Sequence, residues 1–420
     1  MTSQFDTLYS TPEMAALFSA ESQVRHLLRF EAALARAEAR AGLVPAAAAE
    51  AIAAACRNVQ LDVAELFREA ALAGTPVIPL VRMLGATLGD GTRGYLHQGA
   101  TSQDVLDTAL VLQMRSGLEL LEQNLLETCA ACALLAGRYR NTLMAGRTLL
   151  QQALPITFGL KAARWLALCC RQVEALRAVR SNALALQFGG AAGTLAALGD
   201  RGVQVAAFLA EELALPLPGL PWHAERDRIA QVASALGVLA GAMLKIAGDV
   251  ILLAQSEVAE VAEQTAPGKG GSSAMPHKHN PVDAIFAVAS ARLALGYVPT
   301  ILNSMAQEHE RAAGSWQTEW QAIPALFCAA GGAVARVARV AGGLQVNEQR
   351  MRSNLDIGGG LAMSEALMVA LAAHTGRQQA QQLVQNVSQL VGTGTTLLES
   401  ALANQEIYAL LGEQGIHQAL

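Results

Sequence analysis

Aromatic side chains make up only 4% of this 420-residue chain, and charged side chains only 15%. Runs of β-branched residues are short, so the chain lacks the signature of a sheet protein and helix is favoured. Basic residues are scattered and the net charge is −5, which argues against a nucleic-acid surface. No run of about 20 residues is free of polar side chains, as a membrane span requires. The nearest, 233–252, is interrupted by Lys245 and Asp249 and reads better as a buried bundle helix. The opening MTSQFDTLYS has no basic region followed by an apolar core, so a secretory leader is not expected. Six cysteines, at 56, 129, 132, 169, 170 and 328, lie mostly in Ala/Leu-rich stretches. Cys129 and Cys132 have no second pair or histidine at ligand spacing, so reduced buried thiols are expected rather than a metal site. A cytoplasmic location follows. No internal repeat suggests a solenoid.

What is abundant is apolar: 52% of residues are hydrophobic. With so few charges, much of the surface needs a cover other than water, and a partner subunit is the simplest. Residues 21–40 read as one amphipathic helix, with Val24, Leu27, Leu28, Leu34 and Ala35 at apolar spacing and Gly42 as its stop. One or two helices follow over 47–73, and a short one over 77–88 after Gly74-Thr75-Pro76. Long helical patterns then cover about 102–136, 155–183, 222–254, 280–308 and 316–345. The fold class is all-α: three helical domains with a central five-helix bundle, whose strongly apolar helices imply that several subunits share one core. The expected boundaries are 1–104, 105–350 and 351–420, with a hinge at Gly358-Gly359-Gly360.

Three polar loops interrupt the apolar helices. The first is His97-Gln98-Gly99-Ala100-Thr101-Ser102-Gln103-Asp104, followed by Asp107-Thr108. Thr101 and Ser102 suit a helix cap or an anion, and His97 suits a carboxylate. An ordinary cap with a surface histidine is the bland reading. The second runs from Gly146-Arg147-Thr148-Leu149-Leu150-Gln151 to Lys161. Its bland reading is a helix-to-helix turn, with Arg147 either an anion contact or a structural pair. The third, 267–281, reads PGKGGSSAMPHKHNP. Glycines, hydroxyls, lysines and histidines crowd into it, as in a loop that closes over substrate. It matches neither a Walker loop nor a dinucleotide fingerprint. His26, His223, His374 and His417 fit no motif and read as surface or packing residues. Trp316 and Trp320 read as core. Glu257, Glu260 and Glu263 read as one face of a helix end rather than a metal cluster.

The third loop resembles the GSSxMPxKxN signature of the fumarase/aspartase superfamily. The first resembles its HxGxTSxD segment and the second its GRTxxQ segment. Residues 187–194, QFGGAAGT, match its QxGGAxGT turn. Residues 307–311, QEHER, with Trp316 and Glu319-Trp320 beyond them, resemble the branch holding adenylosuccinate lyases and carboxymuconate cycloisomerases. The resemblance spans about 95–320. It implies a homotetramer whose active sites each combine loops from three subunits. It also implies addition or elimination next to a carboxylate of a small polycarboxylate substrate, with no metal or organic cofactor.

By the same resemblance, Ser272 is the catalytic serine that moves the proton alpha to a carboxylate. Lys278 and Asn280 match ligands of the substrate carboxylate, and Lys278 also stabilises the charge of the intermediate. His97, Thr101, Ser102, Gln151 and Arg311 are further substrate-binding candidates, and His277 and His279 lesser ones. One position departs. Adenylosuccinate lyases carry a histidine acid after GRT, and here that position is Leu149. Leucine transfers no proton, and general-acid help is worth about 10²–10⁴-fold. Lactone formation from 3-carboxy-cis,cis-muconate needs no such acid, because the attacking carboxylate is already ionised at about pH 7. HQGATSQD and GRTLLQQA also resemble the bacterial cycloisomerases of that substrate, whose product is 4-carboxymuconolactone, in the protocatechuate branch of aromatic degradation. The alternatives are an adenylosuccinate lyase-like C–N lyase and a non-catalytic structural protein on a lyase scaffold.

Overall fold

The structure, a computed structural model, describes residues 4–271, 274–392 and 394–420. Helix α1 (Ala20–Arg40) starts where the Ser19 hydroxyl accepts the Ser22 N–H at 3.2 Å. It ends before Gly42, whose φ of +78° suits glycine. Val24, Leu27, Leu28, Leu34 and Ala35 are buried along its inner face, as their spacing predicts. Shorter helices follow at Ala46–Asn58, Val63–Ala73 and Val77–Gly85.

Five long helices dominate the described residues. They are α2 (Ser102–Arg138), α3 (Phe158–Ala183), α4 (Asp227–Leu253), α5 (Val282–Asn303) and α6 (Ser315–Gly343). Each coincides with a long pattern read from the sequence: α3, α4 and α5 are shorter than expected, while α2 runs on to Arg138 and α6 begins at Ser315. Between α2 and α3 the chain forms an antiparallel hairpin, β1 (Leu143–Thr148) and β2 (Gln151–Thr157), rather than a plain helix-to-helix turn. A short bridge pairs β3 (Val261–Ala262) with β4 (Gln345–Val346).

By compactness the chain divides into two units whose segments interleave along the sequence. One comprises Met1–Leu126, Cys170–Lys245 and Ile285–Ala338; the other Glu127–Cys169, Ile246–Ala284 and Arg339–Leu420. The C-terminal helices of the second unit enclose a core that includes Leu367, Leu371, Leu383, Leu397 and Ile407.

By length and composition alone, α4, α5 and α6 are apolar enough to cross a membrane, with stretches of mean hydropathy 2.0, 1.6 and 1.4. That corrects the reading of 233–252 as too interrupted to qualify. Two charges do not offset so many Ala, Leu and Val side chains, and Asp249 accepts the Trp165 indole N–H at 2.8 Å. Over half of the α4 stretch is buried within the protein, but only 28% of the α5 stretch. Ile285, Leu293, Leu295 and Leu302 of α5 are exposed.

Candidate active site

In the first unit, Thr101 precedes α2 and its carbonyl accepts the Val105 N–H at 3.4 Å. A capping threonine ordinarily turns its hydroxyl onto the first turn. Here Asp104 accepts the Thr101 N–H at 3.0 Å, and Thr101 Oγ1 accepts a hydrogen bond from Arg311 at 2.7 Å. A hydroxyl leaves the guanidinium charge uncompensated, so this contact keeps Arg311 available to an anion. Ser102, the first residue of α2, is half-buried beside Thr101.

Asp104 is the anchor beneath this loop. Its buried carboxylate also accepts hydrogen bonds from Gly189 N at 2.9 Å, Gly190 N at 2.9 Å, Gln187 Nε2 at 3.2 Å and His223 Nε2 at 2.8 Å. The HxGxTSxD and QxGGAxGT segments therefore meet on one side chain. His223, which matched no motif, is buried packing with a purpose: it orients Asp104. One turn along α2, Asp107 and Glu319 flank Arg226. Arg226 donates to Asp107 at 2.7 and 3.0 Å and to Glu319 Oε1 at 3.0 Å, with a further contact to Glu319 Oε2. Asp107 also accepts hydrogen bonds from Trp316 Nε1 at 2.9 Å and from Gln103 Nε2 at 3.2 Å. Burial opposes the Arg226 charge, yet the two carboxylates raise its pKa above the ordinary value. This network underlies the loop while leaving Arg311 outside it.

His97 has φ of +61°, a left-handed conformation uncommon for a residue with a side chain. Its Nδ1 lies 2.7 Å from Glu31 Oε1, on α1. Glu31 is fully buried.

In the second unit, Thr148 pairs with Gln151 across a two-residue hairpin tip, Leu149-Leu150. Both tip residues have positive φ, 49° and 65°, as a type I′ turn demands. Leucine holds that conformation at a cost of roughly 1–2 kcal/mol per residue. The side chains are 97% and 73% exposed. At Gly146, where the register shifts, an added Cβ would lie 2.7 Å from the Leu154 carbonyl oxygen, so glycine is required.

Arg147 is a structural pair. It donates to both oxygens of buried Glu260, at 2.9 and 2.7 Å. Asn354 Nδ2 donates to Glu260 at 2.8 Å, and Gln152 Nε2 donates to the Asn354 carbonyl at 2.8 Å. Gln151 lines an open cleft of about 430 Å³ with Leu150, Asn354, Ile357 and Gly358. Because α4 ends at Leu253, Glu257, Glu260 and Glu263 do not share a helix face, contrary to expectation. Glu263 instead accepts the N–H groups of Asp283 and Ala284, at 3.2 and 2.7 Å, at the start of α5.

The third loop is fastened at its neck. Lys269 bridges Glu263 at 3.1 Å and Asp283 at 2.8 Å, and Arg339 also holds Asp283 at 2.8 Å. Burial opposes the Asp283 charge, but Arg339 and Lys269 hold its carboxyl below the usual range. Gly270, at φ +70°, accepts the Asn280 N–H at 2.9 Å and its side-chain amide at 3.1 Å. A Cβ on Gly270 would lie 2.6 Å from the Asn280 carbonyl oxygen. One Asn280 amide hydrogen is thus engaged with the loop itself, leaving one for a ligand. Lys278, His277 and His279 are exposed. Ser272 lies outside the described residues.

The structure thus joins Thr101 to Arg311 and seats Gln151 in its cleft. Sequence reasoning missed Glu31 and the roles of Glu260, His223 and Arg226. None of these lies in a polar loop motif. Their only signal was a charged or polar residue set in an apolar helix or beside one.

Residues 7–293 match the sequence profile of the family described as Lyase. The chain belongs to this lyase family. It is 45% identical to a 3-carboxy-cis,cis-muconate cycloisomerase of Pseudomonas aeruginosa, over 98% of this chain and 88% of that protein. It is 46% identical to the Bradyrhizobium diazoefficiens protein of the same name, over 97% and 92%. The crystal structure of 3-carboxy-cis,cis-muconate lactonizing enzyme from Pseudomonas putida superposes with a TM-score of 0.93, at 42% identity, covering 99% of this chain and 94% of that one. The fold is the all-helical one of the fumarase/aspartase superfamily.

Proposed function

We propose that this chain is a cytoplasmic, homotetrameric cycloisomerase that converts 3-carboxy-cis,cis-muconate to 4-carboxymuconolactone. The observation that carries this reading is Leu149. It stands at the exposed hairpin tip, and by the superfamily resemblance adenylosuccinate lyases carry a histidine acid at the matching position. A carboxylate nucleophile needs no base to attack and no acid when it leaves in reverse. The relatives at 45% and 46% identity bear this activity in their names. The phosphate of adenylosuccinate would also need a cation, and Arg147 is already committed to Glu260.

In this reading a carboxylate oxygen of the substrate forms a C–O bond to its own double bond. Electron density moves toward the carboxylate on the neighbouring carbon, and Lys278 stabilises the added negative charge. The Ser272 hydroxyl then protonates that carbon and regains its proton from water. Thr101, Ser102, Gln151, Asn280 and Arg311 hold the remaining carboxylate oxygens, and His97 joins them. Intramolecular attack makes positioning the main source of rate. The exposed apolar face of α5 is the surface that tetramer formation would cover. The residue roles and the sharing of sites among three subunits rest on the superfamily resemblance.

The test is ultraviolet absorbance of purified protein with 3-carboxy-cis,cis-muconate, beside a parallel sample with adenylosuccinate. Loss of diene absorbance is expected, with the lactone identified by NMR. Uptake of one proton per turnover is also expected, because a trianion becomes a dianionic lactone. Cleavage of adenylosuccinate with an unchanged muconate spectrum would overturn the reading.

A further inference from the structure

Two buried acids on α1 have no place in the mechanism above. Glu31 and Glu38 are seven residues apart on one helix, and both are fully buried. Neither Glu38 oxygen has a hydrogen-bond partner among the described residues, nor does Glu31 Oε2. Burying a carboxylic acid inside an amphipathic helix costs stability unless something uses it. The remaining Glu31 oxygen has one partner, His97 Nδ1 at 2.7 Å. His97 belongs to the first loop, four residues before Thr101, and its backbone is held at φ +61°. Strained backbone of this kind persists where surrounding contacts fix it, and it gathers at functional sites.

A carboxylate only accepts, so contact with Glu31 places a proton on Nδ1. The second ring nitrogen, Nε2, then lies on the side of the ring away from α1. The His97 side chain is 19% exposed and so within reach of a ligand.

We propose that Glu31 is a positioning residue that holds His97 as an imidazolium, turning Nε2–H toward a carboxylate of the substrate. This rests on the functional reading above and deepens it. A tricarboxylate then meets His97 as a cation in addition to Lys278 and Arg311.

The surroundings agree. Burial alone would lower the His97 pKa, but the charge and hydrogen bond of Glu31, with a contribution from Asp104 at the start of α2, raise it above the ordinary value. Behind Glu31 stand Glu38 and Cys56. Burial first, and the Glu31 charge second, push the Glu38 carboxyl up to about 9 and the Cys56 thiol up to about 12. Both neighbours therefore stay neutral at about pH 7 and add no negative charge beside Glu31, and neither Glu38 oxygen has a hydrogen-bond partner among the described residues. A histidine whose folded pKa is raised keeps its charge at low pH and loses it as pH rises through that value. Substrate affinity should follow the same course.

The experiment compares the parent with Glu31→Gln, using [13Cε1]histidine-labelled full-length protein and His97→Asn to assign the His97 signal. In Glu31→Gln the His97 titration midpoint should fall by about one unit or more. KM for 3-carboxy-cis,cis-muconate should rise about tenfold at about pH 8 and converge on the parent value toward about pH 5.5, while kcat changes little. Glu31→Asp, which keeps the charge, should restore part of both and serves if Glu31→Gln does not fold. An unmoved His97 midpoint, or a KM increase independent of pH, overturns the proposal. The NMR titration needs no turnover, and calorimetric binding of tricarballylate replaces KM if muconate proves not to be the substrate. Failure of the functional reading is thereby told apart from failure of this one.

Discussion

The first and third loops carry similar residue types but are built in opposite ways. Beneath the first, Asp104 collects five hydrogen bonds, and Asp107, Arg226 and Glu319 form a buried charged lattice. The third loop is fastened at its neck, by Lys269 on Glu263 and Asp283 and by Gly270 against Asn280, while 274–279 are exposed. The difference fits a division of labour. Groups that hold carboxylates profit from preorganisation, because their geometry sets the barrier to intramolecular attack. In the proposed mechanism the third loop supplies the proton donor, a task for which loops that close over substrate are suited.

That contrast is open to attack at several points. The largest effect is expected at the third loop, where the proposed proton donor lies. Ser272→Ala should lower kcat by about 10²–10⁴-fold with the fold intact, as read by diene absorbance and far-ultraviolet circular dichroism. Next comes the rigid floor. Arg226→Met leaves two buried carboxylates facing each other and should destabilise by about 3–5 kcal/mol, measured by urea unfolding. A change below about 1 kcal/mol would mean that the first loop is not held from beneath.

Glu38→Met should act in the other direction. The folded-state pKa of about 9 lies above the ordinary value of 4.5, so the folded protein holds a proton that the unfolded chain releases. Stability then falls as pH climbs from about 4.5 toward about 9. Removing the acid should stabilise by about 1–3 kcal/mol, more at pH 8.5 than at pH 5. Equal gains at both values would deny that Glu38 is held protonated. The smallest change is expected at the neck of the third loop. Lys269→Met should alter stability by less than about 1 kcal/mol, because its ammonium is partly solvated. It should raise KM several-fold if the neck sets how the loop closes.

Much of this was legible in the chain. The 3.6-residue apolar spacing of 21–40 and the long Ala/Leu patterns marked the helices, because burying an apolar stripe is a local property of sequence. The polar loops stood out because they break that pattern. The hairpin was not legible. Its tip is two leucines with positive φ rather than Asn-Gly, so local turn chemistry gave no signal. The role of Arg147 was left open between an anion and a partner, since its partner, Glu260, lies 113 residues away.

By itself, then, the sequence determined the helical class and marked the three polar loops, and through Leu149 it pointed to the kind of leaving group proposed above. Tertiary structure alone decided which charges are spent and which are free. Arg147 is committed to Glu260 and Arg226 to Asp107 and Glu319, whereas Arg311 touches a neutral hydroxyl. Glu31 reaches His97 across 66 positions. The reason is physical. Apolar burial is written in residue spacing along one element, but a hydrogen bond needs two groups within about 3 Å in a set direction, and only the folded chain brings them there.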